Sequence, residues 1–173
     1  MKVNWQMTWI AVCLSAASIS GQATAAPLIR EEPEIARCIR QAAQGSAWLE
    51  KTLWGLRDQE AGGGGAEVAN TNGTHDLGVM QVNSSWVPRL ARIMRRPETR
   101  VRSWLIYDPC FNTEVARWIF LSALSQTRDY WKAVGTYHSP TARRQQRYTV
   151  SFAVHLRRRF GARLFRGAVQ RQR

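Results

Sequence analysis

Residues 62 to 65 are four consecutive glycines, and neither a stable helix nor a well-paired strand runs through such a stretch. A helix that precedes it must stop there. Upstream, Leu49, Leu53, Leu56 and Glu60 recur at steps of four, three and four, which places them on one stripe of a helix. Ser46 stands where such a helix is capped. The stripe is apolar until its last member, a carboxylate set directly before the glycines. On the pattern alone, Glu60 is either a desolvated acid or a frayed helix-end residue in water. A desolvated carboxyl has its pKa raised and can serve as a general acid near neutral pH.

The first 25 residues read as a cleavable export signal and not as fold. Lys2 gives a positive start, residues 7–14 begin an apolar run that continues to Ile19, and Ala23-Thr24-Ala25 offers small residues for a signal peptidase. The alternative, a membrane anchor, is disfavoured by a run that is short and mixed. Cys13 leaves with this leader. Cys38 and Cys110 remain, and in an oxidising compartment an even pair predicts a disulfide; two buried free thiols are the alternative.

Charge divides the chain. The formal net charge is +13, from 25 basic and 12 acidic residues. Residues 26–140 hold 14 basic and 12 acidic residues, a net +2, whereas the ten arginines after Thr141 face no acid. The body is nearly neutral and the end is basic. Such an end suits an anionic surface. Nucleic acid is a poor partner for an exported chain, which leaves an anionic polymer or an anionic membrane surface. A solvated basic terminus without a partner is the bland alternative.

The remaining pattern is predominantly helical. Pro33 can open a helix carrying Ile35, Cys38, Ile39 and Ala42, which Gly45 ends. Residues 70–78 are rich in turn formers and predict a loop or short hairpin. Ser84 or Ser85 can cap a helix carrying Trp86, Leu90 and Ile93, which Arg95-Arg96-Pro97 breaks. Asp108-Pro109 opens the longest helix, with Val115, Ile119 and Ser122 on one face, and residues 129–137 form a shorter one. From Tyr148 onward the residues fit two patterns: Tyr148, Phe152, Leu156 and Phe160 a helix, Val150, Phe152, Val154 and Leu156 a strand. The expected organisation is a signal peptide over 1–25, a catalytic body over 26–140, and a basic helix and arginine-rich tail over 141–173. The expected class is α+β, mostly α-helical. There is no phosphate loop, no Gly-x-Ser-x-Gly elbow and no metal-ligand spacing among His75, His138 and His155, so neither cofactor nor metal is expected.

Four blocks in order carry a resemblance. They are Asp58-Gln59-Glu60; the run from Asn72 through Gly78-Val79-Met80-Gln81-Val82-Asn83-Ser84 to Trp86; Asp108-Pro109-Cys110-Phe111-Asn112; and Ala133-Val134-Gly135-Thr136-Tyr137-His138. Over about residues 35–150 the chain resembles the soluble lytic transglycosylase family, most of all the small single-domain members that accompany secretion and conjugation machines. The resemblance implies a lysozyme-like fold with a small hairpin after the catalytic helix, and cleavage of the MurNAc–GlcNAc β-1,4 bond of periplasmic peptidoglycan with formation of 1,6-anhydro-MurNAc. It assigns Glu60 as the acid. Gly78, Val79, Met80, Gln81 and Asn83 line the cleft and hold an N-acetyl sugar. Tyr137 stands near the catalytic carboxylate. It also makes components of a type III or type IV secretion or conjugation machine candidate partners.

Three departures from the family pattern stand out. Ala61 replaces the usual serine after the acid, the glycines replace a more varied segment and predict a mobile cleft wall, and His138 replaces the usual asparagine. His138 either takes over that hydrogen bond or faces solvent. Asp76 is the residue that separates two chemistries. As a second carboxylate about 6.5–9.5 Å from Glu60 it would activate water and make the chain an inverting muramidase; otherwise it caps the Asn-Gly turn. A non-catalytic peptidoglycan-binding module is the third alternative, and it sits less naturally with Glu60 kept.

Overall fold

A computed structural model describes residues 26–165; the export-signal reading of residues 1–25 and the last arginines of the tail lie outside the described residues. Seven helices and a small sheet follow one another: α1 (Ala26–Ala43), α2 (Ala47–Glu60), β1 (Glu67–Ala69), β2 (His75–Leu77), β3 (Val82–Asn83), α3 (Val87–Met94), α4 (Glu98–Tyr107), α5 (Pro109–Thr127), α6 (Tyr130–His138) and α7 (Ala142–Phe160). Short 3₁₀ turns occupy Ser84–Trp86 and Ala162–Phe165. This is the mostly helical α+β class that the sequence predicts.

The apolar stripe of α2 is buried: Leu49, Leu53 and Leu56 lie in the core with Phe120 of α5 and Phe152 of α7. Helix α5 packs against α1 and α6, and α7 packs against α2 and α6. Helix wins over strand from Tyr148 onward, because Tyr148, Phe152 and Leu156 face the core while Val150 and Val154 are exposed. The segment after residue 140 is therefore no appendage to a finished body. Its helix completes the core, and Arg159 pins the far end of that helix. The Arg159 guanidinium lies 3.9 Å over the Trp54 ring, bonds both oxygens of Asp58 at 2.6 and 2.8 Å, and reaches Glu32 at 3.2 Å.

Several boundaries differ from the sequence reading. Helix α1 begins before Pro33 and runs through it; an interior proline removes one hydrogen bond and leaves the carbonyl four residues earlier without its partner. Ser46 occupies the N-cap of α2 but its hydroxyl makes no capping bond. Asn83, not Ser84 or Ser85, caps the turn before α3 by accepting from the Ser85 N–H at 3.0 Å. Ile93 faces solvent. Helix α4 goes unpredicted, although Val101 and Leu105, one turn apart after Pro97, are its signal and both are fully buried. Asp108 does cap α5, accepting from the Cys110 and Phe111 N–H groups at 3.0 and 2.9 Å.

Cys38 and Cys110 form the expected disulfide, joining α1 to the first turn of α5 with Cα atoms 4.6 Å apart across a sequence separation of 72. A crosslink of that span removes on the order of 4 kcal/mol of loop entropy from the unfolded chain. Non-reducing peptide mapping should recover a linked Cys38–Cys110 fragment, and the double serine variant should lose about 3–4 kcal/mol of stability in urea unfolding. Two unmodified thiols at these positions would contradict both expectations.

Candidate active site

The strands build one wall of a cleft. They pair antiparallel in the order β1-β2-β3, with Asp76 opposite Asn83 and Leu77 opposite Val82. The connection between β1 and β2 is closed by Asn70 N–H bonding the Thr74 carbonyl at 2.8 Å, and Asn72 Oδ1 accepts from the Thr74 N–H and hydroxyl. The capping of this turn thus belongs to Asn72 and not to Asp76. Asp76 instead turns to the cleft, where its Oδ1 accepts from Asn83 Nδ2 at 2.8 Å.

Glu60 closes α2 and sits on the floor of the cleft, a volume of about 590 Å³ lined also by Asp76, Gln81, Asn83, Tyr137 and His138. Burial pushes its carboxyl up to about 7. A hydrogen bond from the Tyr148 hydroxyl at 2.5 Å opposes that shift, and the negative charge of Asp76 adds to it. Desolvation wins, because the one hydrogen bond replaces only part of the water that a carboxylate holds. The result is an acid poised to be protonated or ionised near neutral pH, and not a frayed helix-end residue.

The sequence pattern marks Tyr148 only as an apolar position of a helix, whereas its hydroxyl holds the acid. Tyr137, the aromatic that the resemblance sets beside the carboxylate, donates to the Met80 carbonyl at 3.0 Å. Both phenols are held well above their usual pKa, first by burial and then by the charge of Glu60, so they remain donors. His138 is exposed at the cleft, as the solvent-facing alternative expects, yet one face of it is covered. Its ring stacks on Tyr148 with centroids 4.5 Å apart and planes at 9°, and burial holds its pKa below the ordinary value.

Gly78, Val79 and Met80 support the cleft from behind. The Val79 and Met80 side chains are buried in the core. Asn112, fully buried on α5, is the organising residue: its Oδ1 accepts from Met80 N–H, and its Nδ2 donates to the Leu77 and Leu105 carbonyls, each at 2.8 Å. Gln81 Nε2 bonds the Gly78 carbonyl at 2.7 Å. Gly78 has φ +66°, and a Cβ there would lie 2.1 Å from the Leu105 carbonyl oxygen, so no other residue fits. Gly62 is as confined: a Cβ would lie 2.3 Å from the Gly78 oxygen. The glycine segment is tethered further by Gly65 N–H to the Ile106 carbonyl at 2.9 Å. These contacts replace the mobile wall expected from composition with a fitted one. Among the described residues, no cluster of three or more His, Cys, Asp or Glu is placed to hold a metal ion, and no helix is long and apolar enough to cross a membrane.

The sequence profile of the Transglycosylase SLT domain matches residues 37–153, from α1 into α7. The chain belongs to the transglycosylase SLT family. The matched span includes Glu60, both sides of the cleft, Asn112 and Tyr148. Among curated proteins, it is similar to Protein IpgF of Shigella flexneri, 27% identical over 109 residues, which cover 62% of this chain and 68% of that protein. It is also similar to Protein IpgF of Shigella sonnei, 28% identical over 91 residues, 53% of this chain and 57% of that protein. The SLT profile's end at residue 153 agrees with the packing: α7 is part of the domain.

Proposed function

We propose that this SLT-family protein is an exported lytic transglycosylase that cleaves the MurNAc–GlcNAc β-1,4 bond of peptidoglycan and closes a 1,6-anhydro ring on the muramic residue. The observation that carries this reading is Glu60: a carboxyl in a polar cleft, with its pKa raised to about 7 and its orientation fixed by Tyr148. Protonated Glu60 gives its proton to the glycosidic oxygen as the C1–O bond breaks. The departing GlcNAc end leaves as an alcohol, and positive charge develops at C1, where the muramic acetamido group can assist. Glu60, now a carboxylate, takes the proton of the C6 hydroxyl while O6 bonds to C1. The acid is regenerated and no water is consumed. One group thus acts as acid and then base, which a pKa near the working pH favours. Ala61 supplies no hydroxyl to the carboxylate; Tyr148 supplies one from another helix.

Asp76 supports a second reading. It lines the same cleft and is near enough to raise the pKa of Glu60, so inverting hydrolysis would use it as the base for water. Its bond from Asn83 favours the transglycosylase reading, in which Asp76 shapes the β2–β3 wall and its charge stabilises the cation at C1. Asp76→Asn should then still yield anhydro product, with activity lowered no more than about 10-fold, a smaller factor than loss of a positioned acid–base group. Mass spectrometry of products from purified peptidoglycan checks both readings: anhydromuropeptides support the first, reducing ends the second, and unaltered sacculi a binding module. Complete loss of activity in a folded Asp76→Asn protein would favour hydrolysis. Periplasmic action, local opening of the wall for a type III or type IV secretion or conjugation machine, and contact of the α7 arginines with an anionic wall or membrane surface complete the proposal.

A further inference from the structure

A second concavity lies outside the cleft, at the corner between α3 and α4. It has a volume of about 260 Å³ and is lined by Arg96, Pro97, Arg100 and Trp104. Neither guanidinium makes an ion pair among the described residues, although Glu98 stands between them in sequence. Arg102, two residues beyond Arg100 on α4, is occupied by Glu67. The concavity therefore joins two uncompensated cations to an indole and a proline ring. That combination suits a carboxylate on a short peptide: guanidinium forks match carboxylate oxygens, and flat apolar rings accept the adjoining chain.

The position of the corner says which carboxylate. Trp86, at the start of α3, lines the catalytic cleft. Helix α3 is 8 residues long, so its far end lies about 12 Å from that rim. The surface between is cationic as well: Arg89 lies over the Trp86 and Trp118 rings at 5.5 and 5.0 Å, and Arg92 follows one turn later. An extended peptide of four residues spans about 13 Å. A peptide attached to a muramic residue in the cleft therefore has the length to follow α3 to the corner.

We propose that the α3–α4 corner is an accessory site for the carboxylate-bearing stem peptides of peptidoglycan, with Arg96 and Arg100 binding carboxylates and Trp104 and Pro97 packing against the peptide chain. This rests on the peptidoglycan reading of the cleft and deepens it: the substrate is a peptide-bearing glycan and not a stripped one. Arg96 and Arg100 act as specificity residues and take no part in bond cleavage.

The decisive experiment separates the corner from the chemistry. A sugar-free stem tetrapeptide is titrated calorimetrically into the full chain carrying Glu60→Gln, and again into the same protein with Arg96→Ala and Arg100→Ala. Binding should weaken about 3- to 10-fold in the latter, the size expected for two solvent-exposed ion pairs, and similarly at high salt or when the peptide's carboxylates are amidated. With Glu60 intact, the double arginine variant should raise KM for peptide-bearing glycan by a like factor at constant kcat. Its kinetics on peptide-stripped glycan should match the parent, and its melting temperature should be unchanged. Three results would overturn the proposal: equal tetrapeptide affinity with and without the two arginines, no tetrapeptide binding at all, or tighter corner-dependent binding of a glutamate-rich peptide or of anionic phospholipid vesicles. Failure of the cleft reading looks different. No glycan would then yield anhydro product, while the tetrapeptide titration would still report on the corner.

Discussion

Replacing Glu60 with glutamine is expected to reduce release of anhydromuropeptides by at least about 10⁴-fold, the top of the range for a positioned acid–base group. The substitution preserves shape, and an amide oxygen can still accept from the Tyr148 hydroxyl that lies 2.5 Å from the carboxylate. What it removes is the proton that is first given and then recovered. The parent enzyme should lose activity as pH rises through about 7, where Glu60 loses that proton. The stability of the two proteins should diverge with pH in a fixed direction. The folded-state pKa is raised from 4.5 to about 7, so between those values the native state binds more protons than the unfolded one. Native stability from this group therefore falls as pH rises from about 4.5 to 7 and is level above. Glu60→Gln removes the dependence, and at pH 8 the variant should be the more stable by up to about 3 kcal/mol, with the gap nearly closed at pH 4.5. Urea unfolding at both pH values measures it. Near-parental release of anhydro product by the variant would exclude the mechanism.

The largest loss of stability is expected at Asn112. Its side chain makes three hydrogen bonds in a fully buried setting, and each partner is a backbone group of the segment behind the cleft or of α4. Asn112→Ala leaves the Met80 N–H and the Leu77 and Leu105 carbonyls without that amide, and a buried unsatisfied group costs about 1–3 kcal/mol. A total loss of about 3–6 kcal/mol follows, before any relief from entering water. Asn112→Asp keeps the acceptor for Met80 but turns both donors facing carbonyls into acceptors, so it should fare no better. Equilibrium urea unfolding checks both. A loss below about 1 kcal/mol, the worth of a single ordinary hydrogen bond, would mean the loop is held by other contacts.

The acid was legible in the sequence because a period and a stop coincide there: the stripe through Leu49, Leu53 and Leu56 runs into four glycines, and both signals are local. The helix pattern of Tyr148, Phe152 and Leu156 was present too, but Val150 and Val154 continued a strand period equally well. Only the packing of α7 against α2 and α6 decides between them. Tyr148 escaped notice as a site residue for the same reason. Its partner is 88 positions away, and no spacing rule connects residues that meet only when two helices pack. Asn112 stood inside a recognised block, yet a polar residue in the first turn of a helix looks like surface until the loop it serves is folded against it. For Asp76 only the capping alternative is decided locally: Asn72, closer to the turn, already supplies the oxygen that such a turn needs. Gly62 was read as freedom and proves to be confinement, since a lack of side chain permits close backbone approach as well as motion.

The pairing of Glu60 with Tyr148 also orders events in time. A ribosome completes α2 and both strands of the hairpin long before it reaches α7, so for much of synthesis the acid exists without the hydroxyl that orients it. Until α7 docks, α2 also lacks the Phe152 and Leu156 side chains that pack against Gly55. A nascent or prematurely released chain ending before residue 148 carries the glutamate and the glycines but no finished active centre. A fragment of that kind should therefore release no anhydromuropeptides even where α2 forms, because the last long helix to be made is the one that orients the Glu60 carboxyl.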